Sequence, residues 1–494
     1  MADEIGKGLS RRDFVKTTAI GVGSAAFVGL SSTAVMAKTP EKWDQEADVV
    51  VVGAGGAGLA AAATIAAAGN GVIVLEKTPV MGGSSLICGG ALAFAGTDMQ
   101  SAKNVKDSNE LLYKDLMTVG ANMNVPGLVR TYTENQLETY EWLKKSGVKF
   151  GTLGIASGMS VPRAHYVVPA ELLKVLSDQA KANGAKILLG VAASRLVVDE
   201  KTGDVCGVVA ERNKRQYYYR GRRGVILASG GFCYGKEMLA RFVPEMTKAK
   251  ALAGLGSHGD GLKMAWAYGA DVRDVPYIKA TFGFSLEPDS IKDFGLVFYH
   301  GAIVVNKEGR RFVNESKSYK LVGDAALQQT DAVGIQVFDS AIREDSLKDP
   351  LATVEPLEKK NFVFSAPTLA ELAKKAGIAA TTLEQTVREY NANVDKGVDP
   401  QFGRSTLVAA FGKPVKIEKP PFYAFPSTAV VIGTYGGALI NEKAQVIDIF
   451  GSPIPKLYAA GEVTGGVHGA AYMTGTAFGK ALIFGRIAAK NILA

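Results

Sequence analysis

The chain has 494 residues, 47% of them hydrophobic and 21% charged, and a formal net charge of +8. This length can bury the cores of two or three domains without disulfides. The three cysteines, Cys88, Cys206 and Cys233, are widely spaced and lie in neither a CxxC nor a CxxCH motif, which argues against a disulfide framework, a zinc site and an attached haem. The histidines are too few and scattered for a metal site, so we predict no bound metal.

The first 37 residues predict an export signal that is not part of the fold. The twin arginines of SRRDFVK (10–16) precede a small-residue, mildly apolar run from Thr17 to Met36, and Val35-Met36-Ala37 offers a small-residue cleavage site. The rival interpretation is an uncleaved membrane anchor, but the run is too rich in Gly, Ser and Thr for one. We therefore expect a Tat-exported, periplasmic protein without stable membrane insertion after signal cleavage.

A glycine turn near the start of the mature chain predicts dinucleotide binding. The apolar strand Asp48–Val52 is followed by Gly53, Gly55 and Gly58 in the three glycine positions of GxGxxG, and an alanine-rich helix begins at Leu59. Glycine suits these positions because a side chain would hold a pyrophosphate away from the backbone N–H groups and the positive end of the helix. The alternative is a turn that merely packs helix on strand.

The second strand leads into another glycine-rich segment. Val72–Leu75 ends in Glu76, whose carboxylate can accept hydrogen bonds from an adenosine ribose. Beyond it, Gly82-Gly83-Ser84-Ser85 and Gly89-Gly90 would let the backbone pass close to a flat ring, with the serines as hydrogen-bonding partners. This segment favours a flavin dinucleotide, FAD, over NAD.

The middle of the chain predicts helices followed by a smaller sheet. Residues 100–185 look largely helical, with amphipathic segments near 127–146 and 169–183. Strand-like runs follow at Lys186–Asp199, Val205–Arg212, Tyr217–Arg220 and 224–227. The basic, tyrosine-containing cluster at 214–223 predicts a solvated hairpin rather than a nucleic-acid or protein site, and we expect no nucleic-acid partner.

The far end of the chain predicts a return to the nucleotide-binding fold. Pro455–Glu462 is another buried strand ending in an acidic residue, and a helix follows from about Ala477 to Leu493. The positive end of that helix would face the flavin pyrimidine. We therefore predict an α/β fold, in which a Rossmann-like FAD-binding domain of the glutathione reductase type carries an inserted α+β capping domain. The predicted parts are the signal (1–37), the FAD-binding domain (45–272 and 431–494) and the cap (273–430).

In combination, the motifs resemble one flavoprotein family. GAGGAG, GGSS, Gly259-Asp260-Gly261, VVNKEGRRFVNE (304–315) and GEVTGGVHGA (461–470) are similar to segments of the fumarate reductase and succinate dehydrogenase flavoproteins of the flavocytochrome c type, and to ketosteroid dehydrogenases. The resemblance covers nearly all of residues 45–494. It implies non-covalent FAD, a cap over the flavin, and hydride transfer between flavin N5 and a carbon–carbon double bond conjugated to a carbonyl.

At the substrate-binding positions the chain departs from fumarate reductases. The resemblance would place their proton-donating arginine at Tyr319, a carboxylate-binding arginine at Tyr472 and a histidine of that clamp at about Gly433. The threonine and glutamate of the clamp would fall at about Phe294 and Gly295. Burying a dicarboxylate without cationic partners costs several kcal/mol per charge, so we expect fumarate to be a poor substrate.

The replacements are similar to those of ketosteroid dehydrogenases. The resemblance implies that Tyr472, with a backbone N–H near Thr476, binds the carbonyl oxygen, while Tyr319 transfers a proton at the carbon that does not exchange hydride. Phenols can do both, because their O–H groups polarise a ketone and exchange a proton. The alternative is that both are packed aromatic residues. Residues 473–476 lack the proline and glycine pattern of the steroid enzymes.

The predicted site therefore has two catalytic residues, Tyr319 and Tyr472, and a larger set that binds the cofactor. Arg311 is expected to be structural or to orient Glu315, and His468 to lie near the flavin. The predicted cofactor-binding residues are Gly53, Gly55, Gly56, Ala57, Gly58, Glu76, Lys77, Gly82, Gly83, Ser84, Ser85, Gly89, Gly90, Ala193, Ser229, Gly230, Asp260, Gly461, Glu462, Thr476, Ala477 and Phe478.

These features predict an exported FAD-dependent ene-reductase that reduces an α,β-unsaturated carbonyl compound, as a respiratory terminal reductase with a tyrosine proton donor. Neither a second nucleotide-binding turn nor a CxxCH motif is visible, so we expect a separate c-type cytochrome as electron donor. Two alternatives stay open: a ketosteroid-type dehydrogenase working in the oxidative direction, and a flavin electron carrier without a small substrate. The aromatic-rich segment 273–430 argues against the carrier.

Overall fold

Two sheets organise the fold. The computed structural model describes residues 37–408 and 412–494, so the predicted export signal lies outside the described residues except for Ala37. Ala37 pairs in parallel with Val197 at the edge of the larger sheet. The sheet thus already includes the last residue of the predicted signal.

The strands are, in chain order, β1 (Ala37–Lys38), β2 (Gln45–Val52), β3 (Val72–Glu76), β4 (Ala91–Ala93), β5 (Phe150–Gly154), β6 (Ala164–Val167), β7 (Lys186–Leu189), β8 (Ala192–Val198), β9 (Val205–Arg212), β10 (Arg215–Leu227), β11 (Lys250–Ala251), β12 (Val272–Arg273), β13 (Thr281–Ser285), β14 (Ile303–Val305), β15 (Val333–Asp339), β16 (Phe364–Ala366), β17 (Phe422–Val431), β18 (Gly437–Ala438), β19 (Gln445–Ile447) and β20 (Pro453–Ala459). The α-helices are α1 (Gly56–Ala67), α2 (Gly83–Leu86), α3 (Asp98–Ser101), α4 (Asn109–Val119), α5 (Pro126–Lys145), α6 (Pro169–Ala182), α7 (Lys236–Phe242), α8 (Asp260–Ala267), α9 (Tyr319–Ala326), α10 (Ser340–Ser346), α11 (Glu355–Lys359), α12 (Leu369–Ala376), α13 (Ala380–Lys396) and α14 (Thr476–Leu493).

The larger sheet is a nucleotide-binding layer built from both ends of the chain. Its strands run in the order β1-β8-β9-β10-β2-β3-β7, and β20 pairs with β10 and β19. The ladder β7-β3-β2-β10-β20 is parallel, and its inner strands read as continuous apolar runs because helices cover both faces of such a sheet. The predicted α/β fold is confirmed, with its strand–turn–helix–strand unit and a last strand that returns to the same sheet beside β10. The strands between residues 186 and 227, predicted as a smaller sheet, belong to this sheet as well.

β10 is one continuous strand of 13 residues, although the sequence predicted two. Its first half pairs antiparallel with β9 and its last residues pair in parallel with β2. Gly224, with a φ of 135°, lies at the bulge between the halves. The glycine bends the strand without ending it. The basic cluster at 214–223 lies in the turn and the second strand of a hairpin formed by β9 and β10, as predicted.

The single strand predicted over 186–199 is wrong, because the chain turns at Gly190. This residue has a φ of 68°, a left-handed conformation that interrupts an extended strand. Before the turn, β7 pairs in parallel with β3, and after it β8 pairs antiparallel with β9. The turn therefore moves the chain from one edge of the sheet to the other.

Residues 100–185 contain less helix than predicted. α5 and α6 confirm the two amphipathic segments, and each begins at a proline, as the first helical position allows. Between them, β5 and β6 join β4 in a three-stranded antiparallel sheet. These strands have three to five residues, too few for a periodic signal.

The second sheet lies over the middle of the chain. Its order is β11-β17-β15-β14, and β13 and β16 also pair with β17. It has its own apolar core, which includes Phe282, Phe338 and Phe425. Its strand β11 precedes residue 273, the predicted start of the cap, so the sheet includes chain assigned to the FAD-binding domain. Within the described ranges, no helix is long and apolar enough to cross a membrane.

The chain passes between the two sheets through a short pair of strands. β12 leaves the first sheet region, β18 returns to it, and the two pair antiparallel. The loops that follow each crossing lie next to the site described below.

Candidate active site

The glycine turn between β2 and α1 is shaped for close contact with a ligand. A Cβ on Gly58 would lie 1.9 Å from the carbonyl oxygen of Gly53, so packing alone requires glycine there. Gly55 differs, because the nearest atom to its Cβ position is the carbonyl oxygen of Gly82 at 3.7 Å. The protein itself leaves room for a side chain at Gly55, but a diphosphate bound on the turn does not.

The second glycine segment lies directly beside the first turn. Gly82 donates its N–H to the carbonyl oxygen of Ala54 at 2.9 Å, and the Oγ of Ser85 accepts the N–H of Gly56 at 3.2 Å. Ser84 likewise accepts a backbone N–H at 3.0 Å. Both serines, predicted as partners of the cofactor, thus hold the backbone, and each keeps its hydroxyl hydrogen for a ligand.

The acidic residue at the end of β3 lies beside the turn, where the adenosine ribose is predicted to bind. Glu76 accepts the N–H of Ala54 at 2.9 Å through one oxygen, and the N–H and hydroxyl of Thr78 at 2.9 and 2.8 Å through the other. Each carboxylate oxygen has a further lone pair, which leaves both able to accept a ribose hydroxyl. Lys77 is paired with Asp260 at 2.6 Å.

The first turns of α1 and α14 meet, although they come from opposite ends of the chain. A Cβ on Gly56 would lie 2.9 Å from a ring carbon of Phe478, and one on Gly485 would lie 2.4 Å from the carbonyl oxygen of Ala57. Glycines therefore permit the close crossing. Two positive helix ends converge here, which suits a diphosphate and a ring that becomes negative on reduction.

Open space and unpartnered polar atoms between these segments fit a flavin dinucleotide. No atom of residues 37–408 or 412–494 lies within 4 Å of a Cβ placed on Gly83, Gly89 or Gly230. The Oγ of Ser229 and the Nε2 of His468 are buried without a hydrogen-bond partner among the described residues. Buried polar atoms are normally satisfied, so a ligand with its own polar atoms is expected to meet them.

Two predicted cofactor contacts have structural reasons of their own. A Cβ on Gly90 would lie 2.2 Å from the carbonyl oxygen of Val167, so this glycine is required by packing. Ala193 pairs with Ala210 between β8 and β9. Neither observation tests contact with the cofactor.

A buried cation and two buried carboxylates lie behind the flavin-facing loops. Lys480, 1% exposed, donates to the carbonyl oxygen of Thr464 at 2.9 Å. Burial lowers the pKa of Lys480 to about 8, opposed by Asp274 and Glu462. Burial also raises the pKa of both carboxyls.

Each of these carboxylates holds a loop. Glu462 accepts the backbone N–H of Thr434 at 2.8 Å, and Asp274 accepts those of Gly466 and Gly469 at 2.7 and 3.1 Å. The segments that carry the aromatic residues described next are therefore fixed by charge-assisted hydrogen bonds. Sequence reasoning missed Asp274 and Lys480, because nothing in their neighbourhood along the chain marks them.

Two tyrosines and a histidine form an aromatic cluster. The rings of Tyr435 and Tyr472 are stacked, with centroids 4.7 Å apart and planes 8° from parallel. His468 lies edge-on to both, at 5.6 Å. Burial lowers the pKa of His468 well below its usual value, so the cluster is neutral at pH 7. Tyr435 was missed from sequence; the signal available was an aromatic residue isolated between glycines in GTYGG.

The hydroxyl of Tyr472 is arranged as a hydrogen-bond donor. Its oxygen accepts the N–H of Gly475 at 2.8 Å, which leaves its own O–H free for a ligand. Burial raises the pKa of Tyr472, and the hydrogen bond from Gly475 partly opposes this. The phenol therefore stays protonated at neutral pH.

Tyr319 lies at the start of α9, with its hydroxyl in the same region. Burial raises its pKa, and the negative charge that it would carry when ionised further raises the pKa values of Tyr435 and Tyr472. The three phenols are thus within electrostatic reach of one another. Tyr319 comes from the second sheet region and Tyr472 from the first, and ionisation of Tyr319 would disfavour that of Tyr472.

Arg311 has a structural role, as predicted. Its guanidinium lies 2.7 Å from Glu315 and 2.9 Å from Asp399, and all three side chains are almost fully buried. Arg404 adds a second buried guanidinium 3.5 Å from Glu315. These pairs anchor the segment that leads into Tyr319.

The positions predicted to have lost a carboxylate clamp carry no charge. Phe294 packs on Phe284 with ring centroids 4.9 Å apart, and the carbonyl oxygen of Gly295 accepts a hydrogen bond from Gln336 at 2.8 Å. A Cβ on Gly433 would lie 2.9 Å from the ring of Tyr435, so that ring occupies the space of a side chain at 433. The described part of the chain also holds no group of three or more potential metal ligands.

The fold and this site define a flavoprotein oxidoreductase with FAD as its cofactor. Residues 48–477 match the family model described as FAD binding domain, and the chain belongs to this family. Relatives that are 30–34% identical to this chain support the assignment. They include "Fumarate reductase (cytochrome)" of Shewanella frigidimarina (34% over 90% of this chain and 76% of the relative), "Urocanate reductase" of Eggerthella lenta (32%; 92% and 76%) and "Acrylate reductase flavoprotein subunit" of Shewanella woodyi (30%; 98% of each).

Comparison with solved structures leads to the same family. An open flavocytochrome c3 fumarate reductase is similar with a TM-score of 0.82 and 31% identity, over 91% of this chain and 78% of that one. The 3-ketosteroid-Δ4-(5α)-dehydrogenase of Rhodococcus jostii RHA1 is similar with a TM-score of 0.71 and 28% identity, over 92% and 98%. The resemblance predicted from the motifs is confirmed, and the chain is an FAD-dependent oxidoreductase that acts on carbon–carbon double bonds.

Proposed function

We propose that this protein reduces the carbon–carbon double bond of an α,β-unsaturated carbonyl compound that lacks a second carboxylate. The observation that carries the proposal is the neutral cluster of Tyr435, Tyr472 and His468, with Tyr319 within electrostatic reach. A dicarboxylate placed there would lose its hydration without gaining cationic partners. A ketone, or the single carboxylate of a monoacid, makes a smaller demand, because hydrogen-bond donors such as the Tyr472 hydroxyl can hold its oxygen.

The residues divide the chemical work between two phenols. Tyr472 donates its O–H to the carbonyl oxygen, and the Gly475 N–H bonded to its oxygen polarises that hydroxyl. Tyr319 delivers the proton to the carbon that does not receive hydride. FAD, held without a covalent bond, supplies the hydride when bound. Burial keeps both phenols protonated before the reaction.

The test is turnover by the purified holoenzyme under anaerobic conditions with reduced methyl viologen. We expect cinnamate-type acids or acrylate to oxidise the viologen rapidly, and fumarate to do so at least about a hundredfold more slowly, a difference of about 2.7 kcal/mol. Fumarate as the fastest acceptor would refute the neutral-site proposal. In a separate assay with an artificial electron acceptor dye in place of reduced viologen, a ketosteroid oxidised faster than any enone is reduced would favour the dehydrogenase direction, to which the similar Rhodococcus structure points.

Tyr319→Phe separates the proton step from flavin chemistry. We expect kcat to fall about 10²–10⁴-fold, the range typical of a lost general acid, while reduction of the flavin by viologen keeps its rate. Tyr423→Phe is the matched control, since Tyr423 is another partly buried tyrosine of the second sheet region, where it stacks on Phe338 with centroids 5.3 Å apart. Unchanged turnover in Tyr319→Phe would remove this residue from the mechanism. If no unsaturated compound reoxidises the flavin, the electron-carrier alternative gains.

We further propose that the protein works in the periplasm as a respiratory reductase fed by a separate c-type cytochrome. The support is the twin-arginine segment at 10–16, the lack of a CxxCH motif in the sequence, and a relative named as a flavoprotein subunit. Fractionation of cells expressing the full chain tests export. Loss of periplasmic protein in Arg11→Lys/Arg12→Lys is expected, and unchanged fractionation would contradict it.

A further inference from the structure

Tyr435 has features that the proposed reaction does not use. It stands in the left-handed region, with a φ of 54°, which is unfavourable for an aromatic residue. The surrounding structure imposes this conformation, because Thr434 next to it is bound to the buried Glu462 through both its N–H and its hydroxyl. A large residue kept in an unfavourable conformation points to a role in the site.

The backbone conformation places the ring over Gly433. A Cβ on Gly433 would lie 2.9 to 3.1 Å from the Cζ, Cε1 and Oη atoms of Tyr435. Any side chain at 433 and the present ring position of Tyr435 therefore exclude each other. The ring fills a space from which a side chain at 433 would otherwise reach the site.

The ring is only partly covered. One face of Tyr435 stacks on Tyr472, and His468 meets it edge-on, yet Tyr435 keeps an accessible fraction. The stack with Tyr472 uses one face of the ring, and a ligand that met the other face would meet a flat, aromatic and neutral surface. Such a surface favours a planar apolar group, by burial and by aromatic contact, and disfavours a second carboxylate at this end of the substrate.

We propose that Tyr435 is a specificity-determining residue, which selects unsaturated carbonyl substrates whose far end is a planar apolar group, such as an aryl ring. This rests on the proposed function, because the carbonyl is held by Tyr472, next to Tyr435 in the stack. The phenyl group of a cinnamate-type acid then lies against Tyr435. Acrylate, which has no such group, does not make this contact.

The test compares paired probes that differ by the phenyl group. In Tyr435→Ala we expect kcat/KM for cinnamate to fall at least about tenfold, equivalent to about 1.4 kcal/mol, mainly through KM, while acrylate changes less than about threefold. Tyr435→Phe keeps the ring and should keep the cinnamate-to-acrylate ratio. An equal fall for both substrates, or no change in the ratio, would overturn the proposal.

Binding without turnover distinguishes this proposal from the proposed function. The saturated compounds 3-phenylpropionate and propionate are titrated into the oxidised holoenzyme and followed by flavin absorbance. Tyr435→Ala should weaken 3-phenylpropionate by about tenfold and leave propionate unchanged. This result would support the aryl contact even if no acceptor is reduced, and equal binding of the two compounds by the wild type would overturn it.

Gly433→Ala provides a second variant that keeps the ring. Its methyl group would displace the end of the Tyr435 side chain rather than backbone, so folding is expected to survive. We expect the cinnamate-to-acrylate ratio to fall in the same direction as in Tyr435→Ala. Gly71→Ala, whose methyl group would meet the Asp48 side chain at 3.4 Å just before β3, is the control and should leave the ratio as in the wild type.

Discussion

The burial of Lys480 affects how the stability of the protein depends on pH. Its ammonium is almost fully buried, and the nearest compensating charges are Asp274 and Glu462. The cost of removing the ammonium from water lowers its pKa to about 8, against about 10.4 in an unfolded chain. Between these values the unfolded state binds a proton that the folded state does not.

This difference predicts the sign of a pH effect. Since the unfolded state binds more protons, the contribution of Lys480 to the free energy of unfolding should rise by about 1.4 kcal/mol per pH unit from pH 8 to about 10. Lys480→Met should lack that rise. Urea unfolding of the holoenzyme at pH 7.5, 8.5 and 9.5 measures it, with the exposed Lys490→Met on the same helix as control. Parallel pH profiles for wild type and Lys480→Met would contradict the prediction.

At the residue scale, the sequence predicts positions whose chemistry depends on neighbours along the chain. Gly58 is an example, because its requirement for glycine follows from a local turn. Tyr435 and Asp274 could not be found in this way. Both have left-handed backbones and act through contacts across loops far apart in sequence, which no local pattern reports. The roles of Tyr319 and Tyr472 remain predictions.

At the scale of an element, the turn between β2 and α1 separates folding from cofactor binding. Gly58→Ala should destabilise the protein with or without FAD, because its methyl group would collide with the backbone of Gly53. Gly55→Ala should leave the fold intact, since its nearest neighbour is 3.7 Å away, and should weaken FAD binding by at least about tenfold.

Flavin content after purification and urea unfolding of the apoprotein measure the two effects. Gly55→Ala with full flavin content would contradict a role of Gly55 in cofactor binding. Gly58→Ala with the stability of the wild type would contradict a role of Gly58 in folding.

The buried ion pairs before α9 give a second prediction at this scale. Glu315→Gln would leave Arg311 and Arg404 short of negative charge in a buried environment, and we expect a loss of about 3–5 kcal/mol. Arg343 and Glu358 form a similar two-point pair nearer the surface, at 2.7 Å. Glu358→Gln should cost only about 1 kcal/mol or less. Equal losses in urea unfolding would refute the distinction.

Among the elements, long and periodic segments were predictable and short or bent ones were not. α5, α6 and α14 agree with expectation, because an amphipathic or apolar repeat of this length has one compatible structure. β10 was divided in two because a glycine usually ends a strand, whereas Gly224 forms a bulge. β4, β5 and β6 are stabilised by pairing with one another rather than by local preference.

At the scale of the molecule, Asp274 connects the crossing between the two sheets to the aromatic cluster. It follows β12 directly, and its carboxylate accepts two N–H groups from the loop that carries His468. A displacement of the second sheet about this crossing would therefore move the loop as well. This geometry predicts that a mutation at the crossing also displaces the loop that carries His468.

Two substitutions test the connection. Asp274→Asn keeps an acceptor oxygen and tolerates a left-handed backbone but removes a negative charge near Lys480, so it should lower stability and kcat less than alanine does. Asp274→Ala removes both hydrogen bonds, and we expect a loss of about 2–4 kcal/mol together with a lower kcat. Urea unfolding and viologen turnover measure the two effects. If the alanine variant is as active and as stable as the asparagine variant, the hydrogen bonds of Asp274 do not couple the crossing to the site.

The meeting of α1 with α14 has a consequence for how the protein is made. The ribosome completes the glycine turn more than 400 residues before it adds the helix that closes the other side of the same chamber. Prosthetic-group insertion must therefore wait until translation is almost finished, and a prematurely terminated chain cannot retain its flavin. Bound flavin thus indicates that the chain has been synthesised in full. A cell that retains only chains with bound flavin would thereby also remove truncated ones.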